Sequence, residues 1–391
     1  MGRPRFFNSK GGKSGLGSIV WPAAIREVNL LNRCTRQFLF FILLMTQICG
    51  VTTFVYSSKE QCFRQSYSLR LYSGLIFCVV SLFLVTNISN MLEYIEKMWP
   101  YFMGCIVMLV VRAQGFMESQ EIVDLLNQII EVEKQVKGMA RQPNIFRLRH
   151  LLLLLLALQH LLRSLNMILG IRTYSFDAYD TIANGFLLLV CLGVFLSFLL
   201  HITINICLFV VLIACFSELH RCTQRISKDM DKLKQTQVLQ SGQFLVLAEQ
   251  LHKNTERLIR LRFKVFQLTL RIIKHFRFHW LCAIIYGLLP FLCRSATDRN
   301  VFYYLTISAL NIVFQFKIFD ILSGKSRLTR RFYSFHMSNY HKKTERNIDE
   351  LLTQEILERT RVTIYGITLD TKFLFKLLFT CSFWVIVNRQ G

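Results

Sequence analysis

The sequence predicts an all-α, polytopic membrane protein, on the evidence of its composition. Of the 391 residues, 53% are hydrophobic and only 18% are charged, and the mean hydropathy is +0.38. Soluble domains carry about 25% charged residues, so this balance excludes an ordinary soluble protein. The chain has 34 Phe but only 5 Pro, which favours long helices that face lipid, since a bilayer admits only helices and closed barrels.

Eight apolar runs are candidates for membrane spans. They cover residues 38–56, 71–88, 98–111, 151–170, 181–217, 278–293, 301–323 and 373–388. A bilayer core about 30 Å thick needs roughly 20 helical residues, so several runs must include flanking residues. The run 181–217 contains no charged residue and is longer than a span, so it predicts one helix that projects beyond the membrane.

The positions of Lys and Arg indicate how many runs span. Basic residues are retained in cytoplasmic loops, and most of the 47 Lys and Arg residues fall there when the chain crosses seven times from a cytoplasmic N terminus. The C terminus is then extracellular. Charge alone leaves open whether 38–56 or 98–111 is the run that does not span. Because the net charge of +23 lies in loops, it predicts topology and not a nucleic-acid partner.

No catalytic motif is evident in the sequence. It contains neither paired intramembrane Asp residues nor an HExxH pattern, so we expect no enzyme, no bound cofactor and no metal site. His275 and His279 stand four residues apart on one helix face, but no third ligand lies near them in the sequence and their surroundings are basic. We interpret this pair as a feature of the membrane surface.

Four of the polar residues within the apolar runs call for a specific interpretation. His160 and Arg163 would be costly in lipid, so both are expected to face the interior of the bundle. For Arg163, a structural role and a role in ligand binding or gating both stay open. Lys317 and Asp320 are three residues apart near the inner end of their helix, and we expect them to pair with each other.

The end of the chain carries the first resemblance to a known family. Residues 362–391 have the sequence VTIYGITLDTKFLFKLLFTCSFWVIVNRQG and resemble the close of insect gustatory receptors. Those receptors end with a Gly-containing stretch and a final helix that carries Thr-Tyr, five apolar residues and Gln-Phe. With Gln390 on the family Gln, Trp384 takes the Tyr position, Phe383 takes the Thr position and Gly391 replaces the terminal Phe.

A second resemblance precedes the first predicted span. Residues 48–75 resemble the family segment in which a Gly-hydrophobic-Pro-Phe core leads to a Tyr and basic residues; Gly50 and Phe54 fit, and a Thr replaces the Pro. Residues 122–136 resemble the family's amphipathic helix before the third span. The resemblance therefore covers nearly the whole chain, and it makes 38–56 the non-spanning run.

These observations imply a division into four parts. The first part is a cytoplasmic N-terminal region, 1–70, with a non-spanning helix at 38–56. The second is a bundle, 71–323, which includes a cytoplasmic helical loop at 218–277 and six spans at 71–88, 98–114, 151–170, 181–217, 278–293 and 301–323. The third is a cytoplasmic anchor loop, 324–372, and the fourth is a seventh span, 373–390. Apolar residues at helical spacing predict packed helices in both cytoplasmic segments. Packing within one subunit and packing between subunits both stay open.

The resemblance implies a ligand-gated, non-selective cation channel that assembles as a tetramer, either alone or with other gustatory receptors. Its last helix would line the pore, with Gln390, Val387, Trp384 and Phe383 as the pore-lining and gate residues. The implied partners are a small-molecule tastant, with bitter compounds as the expected class, together with cations and membrane lipid. The implied location is the plasma membrane of an insect sensory neuron dendrite.

One feature of the last helix leaves room for other functions. The outer end of the last helix carries Arg389, and four such charges at a pore mouth would repel cations unless the side chain points away. A non-conducting or co-receptor subunit is therefore one alternative, and a membrane transporter is another.

The ligand pocket is predicted from aromatic and polar residues in the outer halves of the spans. These are Trp99, Tyr101, Asn166, Phe186, Tyr286, Tyr303 and Tyr304.

Overall fold

The described residues form helices and two short β-hairpins. In chain order the elements are α1 (Gln37–Ile48), β1 (Phe54–Ser57), β2 (Cys62–Gln65), α2 (Tyr67–Thr86), α3 (109–117), α4 (Ser119–Met139), α5 (Arg149–Leu161), α6 (Ile182–Thr236), α7 (Ser241–Cys293), α8 (Arg299–Ser326), β3 (Thr363–Ile364), β4 (Ile367–Thr368) and α9 (Thr371–Gln390). A computed structural model describes residues 37–57, 59–86, 106, 109–139, 149–161, 182–236, 241–293, 299–326, 346, 349–350, 353 and 362–390. At the ends of α6 and α7, in the first part of α8 and in most of the second half of α9, it describes the backbone alone.

Two helices, α2 and α5, present apolar side chains on the outside of the molecule. On α2, Leu71, Leu75, Val79 and Leu82 follow one another by about a turn, and each is between 53% and 66% exposed. On α5, the exposed residues are Leu151, Leu154, Leu155, Leu158 and Leu161. Continuous apolar stripes of this kind are rare on soluble proteins and are expected where a helix faces lipid. The described residues also include one segment, Leu199–Asp231, that is long and apolar enough by composition to cross a membrane.

The two longest helices, α6 and α7, extend well beyond the thickness of a bilayer. α6 contains 55 residues and α7 contains 53, so each is about 80 Å long against a hydrocarbon core of about 30 Å. α6 includes almost all of the uncharged run 181–217 and continues through charged residues to Thr236. Both helices therefore have the length to form part of the membrane bundle and part of a cytoplasmic layer.

Three aromatic residues join α6, α7 and α8 in the core. The ring of Trp280 lies 5.6 Å from that of Phe209 and 4.7 Å from that of Phe319, and the two Phe rings are 5.7 Å apart. Each residue is at most 2% exposed. Edge-on aromatic contacts of this kind contribute beyond the area they bury, so this triangle holds the three long helices together.

Helix α1 covers only the first two-thirds of the apolar run 38–56. It ends at Ile48, and Gly50 follows with a φ of +63°, the left-handed conformation that commonly ends a helix. The β-branched and aromatic residues after it form β1 instead of continuing the helix, in keeping with their strand preference. The helix is thus shorter than the run predicts.

The first hairpin is fixed to helix α4 by side-chain hydrogen bonds. The Asn127 side chain accepts a hydrogen bond from the Phe63 backbone N at 2.7 Å and donates one to the Phe63 carbonyl at 3.0 Å. The Gln65 amide donates to the Ser119 hydroxyl at 2.7 Å. Asn127 therefore completes the backbone hydrogen bonding of β2 in the way that another strand would.

Helix α4 has the amphipathic pattern that its sequence predicts. Its buried residues recur at spacings of three and four, which places them on one face. They are Ser119, Ile122, Val123, Leu125, Leu126, Ile129, Val132 and Val136. The charged residues of α4 lie on the other faces, so the helix packs on the bundle along a single side.

Candidate functional site

The inner end of the last helix is built by a tight hairpin and a capping carboxylate. Strands β3 and β4 pair through a two-residue turn at Tyr365 and Gly366, whose φ values are +49° and +83°, as in a type I′ turn. Asp370 then accepts a hydrogen bond from the backbone N of Phe373 at 2.7 Å. This N-cap satisfies one of the free N–H groups at the start of α9.

A second carboxylate ties the start of α9 to helix α8. Asp320 accepts hydrogen bonds from the backbone N of Thr371, at 3.4 Å, and from the Thr371 hydroxyl. This arrangement differs from the pairing with Lys317 that the three-residue spacing predicts, and Lys317 is exposed. The reason is tertiary, because α9 begins beside Asp320 and its free N–H groups attract a negative charge.

Aromatic contacts also hold this end of α9 in place. The rings of Phe316 on α8 and Phe373 on α9 are stacked with their centroids 6.3 Å apart. The Arg277 guanidinium on α7 lies 5.1 Å from the ring centroid of Tyr365, within reach of a cation–π interaction. The base of α9 is therefore linked to both α7 and α8.

Further along, α9 exposes a row of phenylalanines. Phe375, Phe379 and Phe383 follow at intervals of four residues and are 65%, 74% and 60% exposed. A stripe this apolar is stable only against lipid or another protein surface. The last helix of one chain thus has a face that the rest of that chain does not cover.

The four predicted pore residues all lie on α9. Phe383 belongs to the exposed row, whereas Trp384, Val387 and Gln390 have a described helical backbone and side chains outside the described set. Their spacing of three to four residues places them on one side of the helix. Their roles at the pore stay predictions.

The predicted ligand-pocket residues are distributed over the bundle. Phe186 lies on α6, Tyr286 lies on α7, and Tyr303 and Tyr304 lie on α8; of these four the structure describes the backbone alone. Trp99, Tyr101 and Asn166 lie outside the described residues. The pocket therefore stays a prediction.

His160 is the one of the two residues expected to face the bundle interior that the structure describes. His160 on α5 makes a hydrogen bond between its Nε2 and the hydroxyl of Thr203 on α6. The same hydroxyl donates to the Leu199 carbonyl at 2.7 Å. His160 thus faces the neighbouring helix, as the cost of a polar group in lipid predicts. Arg163 lies outside the described residues.

Helix α7 carries a buried histidine pair, which our interpretation of the sequence misplaced. His279 is 1% exposed and stacks on His201 of α6, with centroids 4.5 Å apart and an interplanar angle of 14°. His275 is 8% exposed, and its Nδ1 lies 3.2 Å from Glu118 and 3.4 Å from Glu121. The prediction of a surface pair without further ligands is wrong. The neighbours of the two histidines come from other parts of the chain, which local sequence cannot reveal.

Several residues of the base of α9 were missed although the sequence contains a signal for them. Asp370 immediately precedes an apolar run, the position of an N-cap. Tyr365 and Gly366 stand between two short β-branched segments, the pattern of a hairpin. The partnership of Asp320 with Thr371 has no such signal, because these residues are 51 positions apart.

Comparison with solved structures defines the class of protein. The chain is similar to the insect olfactory receptor OR5 from Machilis hrabei, with a TM-score of 0.61 and 13% identity over 90% of this chain and 97% of that one. The same receptor in complex with eugenol gives a TM-score of 0.52 and 15% identity over 91% and 98%. This likeness shows the fold: the chain is a seven-transmembrane, all-α, polytopic membrane protein, as the composition predicts.

Comparison with curated sequences defines the family. The chain is 63% identical to Gustatory receptor-like 65a of Drosophila melanogaster over 365 residues, which are 93% of this chain and 98% of that protein. No protein-family model matches it. The chain belongs to the insect gustatory receptor family, a family of chemoreceptors. The resemblance at its two ends is thereby confirmed.

Proposed function

We propose that this protein is a gustatory chemoreceptor in which a small-molecule tastant opens a non-selective cation pathway. The observation that carries the proposal is the last helix, which is fixed at its inner end by Asp370 and Asp320 and exposes a row of Phe residues further along. A helix that is anchored at one end and uncovered along one face is suited to pack against copies of itself around a central axis.

The proposal includes a tetramer with the N terminus in the cytoplasm and the C terminus outside. Gln390 and Val387 then stand near the outer gate, with Trp384 and Phe383 below them. The tastant belongs to the bitter class and binds among the outer halves of the spans, and the receptor acts in the plasma membrane of a sensory dendrite. The complex of an olfactory receptor with eugenol supports a small-molecule ligand for this fold.

The orientation is tested with an epitope tag after Gly391 in cultured cells. Antibody should label the tag on intact cells, because the seventh span runs outward. Surface biotinylation reports independently whether the protein has reached the plasma membrane. A tag that stays hidden until permeabilisation, on a chain that biotin labels, would contradict the orientation and with it the assignment of the pore helix.

The channel is tested by patch clamp with a panel of bitter compounds and cysteine substitutions on α9. In V387C and Q390C, a membrane-impermeant thiol reagent added outside should reduce the evoked cation current. L374C is the matched control, because Leu374 is fully buried at the inner end of the same helix. The unsubstituted chain controls for the 12 native cysteines.

The same recordings separate the alternatives. Current only when other gustatory receptors are co-expressed would indicate a co-receptor subunit, which the charge of Arg389 near the pore mouth favours. Uptake of the compound without ionic current would indicate a transporter. No current and no uptake in any combination would contradict the proposed function.

A further inference from the structure

Three potential metal ligands from two separate parts of the chain meet beside helix α7. Glu118 lies in the turn between α3 and α4, Glu121 lies in the first turn of α4, and His275 lies on α7. The Nδ1 of His275 is 3.2 Å from Glu118 Oε2 and 3.4 Å from Glu121 Oε2. One ligand atom from each residue lies within 4.8 Å of the other two.

We propose that these residues form a binding site for a divalent transition-metal ion, and specifically for Zn²⁺. Ligand atoms at about 2.1 Å from a tetrahedral zinc ion are separated from one another by roughly 3.4 Å. The two distances from the imidazole nitrogen match this value. The third separation, between the two carboxylate oxygens, is at most 4.8 Å, so an adjustment of the carboxylates would place all three atoms around one ion.

The chemistry of the three groups favours this class of ion. Imidazole with two carboxylates suits Zn²⁺ and its neighbours, whereas Ca²⁺ and Mg²⁺ prefer oxygen ligands throughout. Three protein ligands leave a fourth position for water. Two carboxylates held near one buried imidazole also repel each other, so a cation between them would be stabilised.

Each of the three ligands contacts a group that orients it. The His275 side chain is only 3% exposed, so its nitrogen is held in place by the packing of α7. Gln114 donates to both oxygens of Glu118 at 3.2 Å. Arg271 lies 3.7 Å from Oε1 of Glu121, which leaves Oε2 facing His275. Contacts of this kind commonly orient metal ligands.

A bound ion would connect helix α4 to helix α7 at the boundary between the bundle and the cytoplasmic layer. α4 already packs along one face, and the ion would add a polar link at its first turn. The ring of Phe276 lies between the two histidines of α7, 4.6 Å from the ring of His275 and 5.4 Å from that of His279. His279 in turn stacks on His201 of α6. Occupancy of the site would therefore stabilise the junction of three helices.

The test is a metal-binding measurement on the purified full-length chain in detergent. After equilibration with Zn²⁺ and removal of free ion, metal content is determined by mass spectrometry, and Co²⁺ substitution is followed by visible absorption. H275A and E121Q should each bind one Zn²⁺ per chain fewer than wild type, or bind it at least about tenfold more weakly. Both should lose the Co²⁺ band and the rise in Tm that Zn²⁺ gives to wild type.

Two matched variants control for general effects. E131Q removes an exposed carboxylate further along α4, and H252A removes an imidazole from α7 far from the site; both should bind metal as wild type does. Equal metal content in wild type and E121Q would overturn the proposal. So would a wild-type chain without a Co²⁺ band at saturating Co²⁺, even if H275A failed to fold. A Tm that does not rise on addition of Zn²⁺ to wild type would also overturn it.

Discussion

Gly50 shows what a single residue contributes at the start of the bundle. It adopts a φ of +63°, and a Cβ at this position would lie 2.6 Å from the Arg112 guanidinium. That guanidinium donates to the Gly50 carbonyl at 3.0 Å, and the Ser73 hydroxyl donates to the same oxygen at 2.6 Å. Helix α1 is therefore joined to α2 and α3 through a backbone that only glycine adopts without strain.

Substitution G50A should destabilise the folded protein by about 1–2 kcal/mol, because a left-handed backbone is unfavourable with a Cβ. The measurement is thermal unfolding of the detergent-solubilised chain. G324A is the control, since Gly324 on α8 has no heavy atom within 4 Å of the added Cβ and alanine is preferred in helices. Equal Tm values for the two variants would contradict this account of Gly50.

Glu218 is a second residue whose environment sets its behaviour. Its side chain is 1% exposed and accepts a hydrogen bond from Arg221 at 2.7 Å. Burying a carboxylate costs free energy unless its charge partners and hydrogen bonds compensate for the lost hydration.

Substitution E218Q should therefore raise the Tm at pH 7. Glutamine keeps an oxygen that can accept from Arg221 and removes the cost of burying a charge. Melting curves of the two proteins at pH 7 provide the measurement. E256Q, which alters a carboxylate 42% exposed, should follow wild type. A lower Tm for E218Q at pH 7 would show that the buried charge is stabilising.

At the scale of elements, α9 depends on its neighbours for its inner end but not for its length. Its 20 residues are apolar enough to form a helix in lipid on their own. Asp370, Asp320 and the stacked pair of Phe316 and Phe373 determine where it begins and how it leaves α8. A movement of α8 would thus be transmitted directly to the predicted pore helix.

Loss of the cap should loosen the first turn of α9. We expect D370A to cost about 1 kcal/mol, while D370N should have little effect, because asparagine caps a helix nearly as well as aspartate. Hydrogen exchange in peptides covering residues 371–376 should accelerate in D370A alone. Similar exchange rates in both variants would indicate that the Asp320 contacts suffice to hold the turn.

At the scale of the whole molecule, the long helices α6, α7 and α8 form a continuous core. The triangle of Phe209, Trp280 and Phe319 lies where all three meet, and on α7 the buried His279 immediately precedes Trp280. Packing at this point therefore affects all three long helices together. Because the three rings are almost fully buried, substitutions here should be strongly destabilising.

Removal of the central ring should destabilise the whole fold. W280A should cost about 3–5 kcal/mol, as is usual for a large buried aromatic residue, and should reduce the yield of monodisperse protein on size-exclusion chromatography. W280F keeps an aromatic ring at the centre and should retain most of the stability. F263A, at a position 39% exposed on the same helix, should be close to neutral. A W280A chain as stable as F263A would contradict the role of the triangle.

The sequence by itself determined the class of this protein, the amphipathic helix α4 and the last helix, because apolar length and helical spacing are local properties. The resemblance carried by Gly50 and by the C-terminal segment identified the family. Only the tertiary structure decided that Asp320 meets Thr371 and that His275 meets Glu118 and Glu121. These partners are distant in the chain, and the packing of separate helices brings them together. Local pattern specifies an element and its buried face, whereas the depth and rotation at which two elements pack depend on every contact between them.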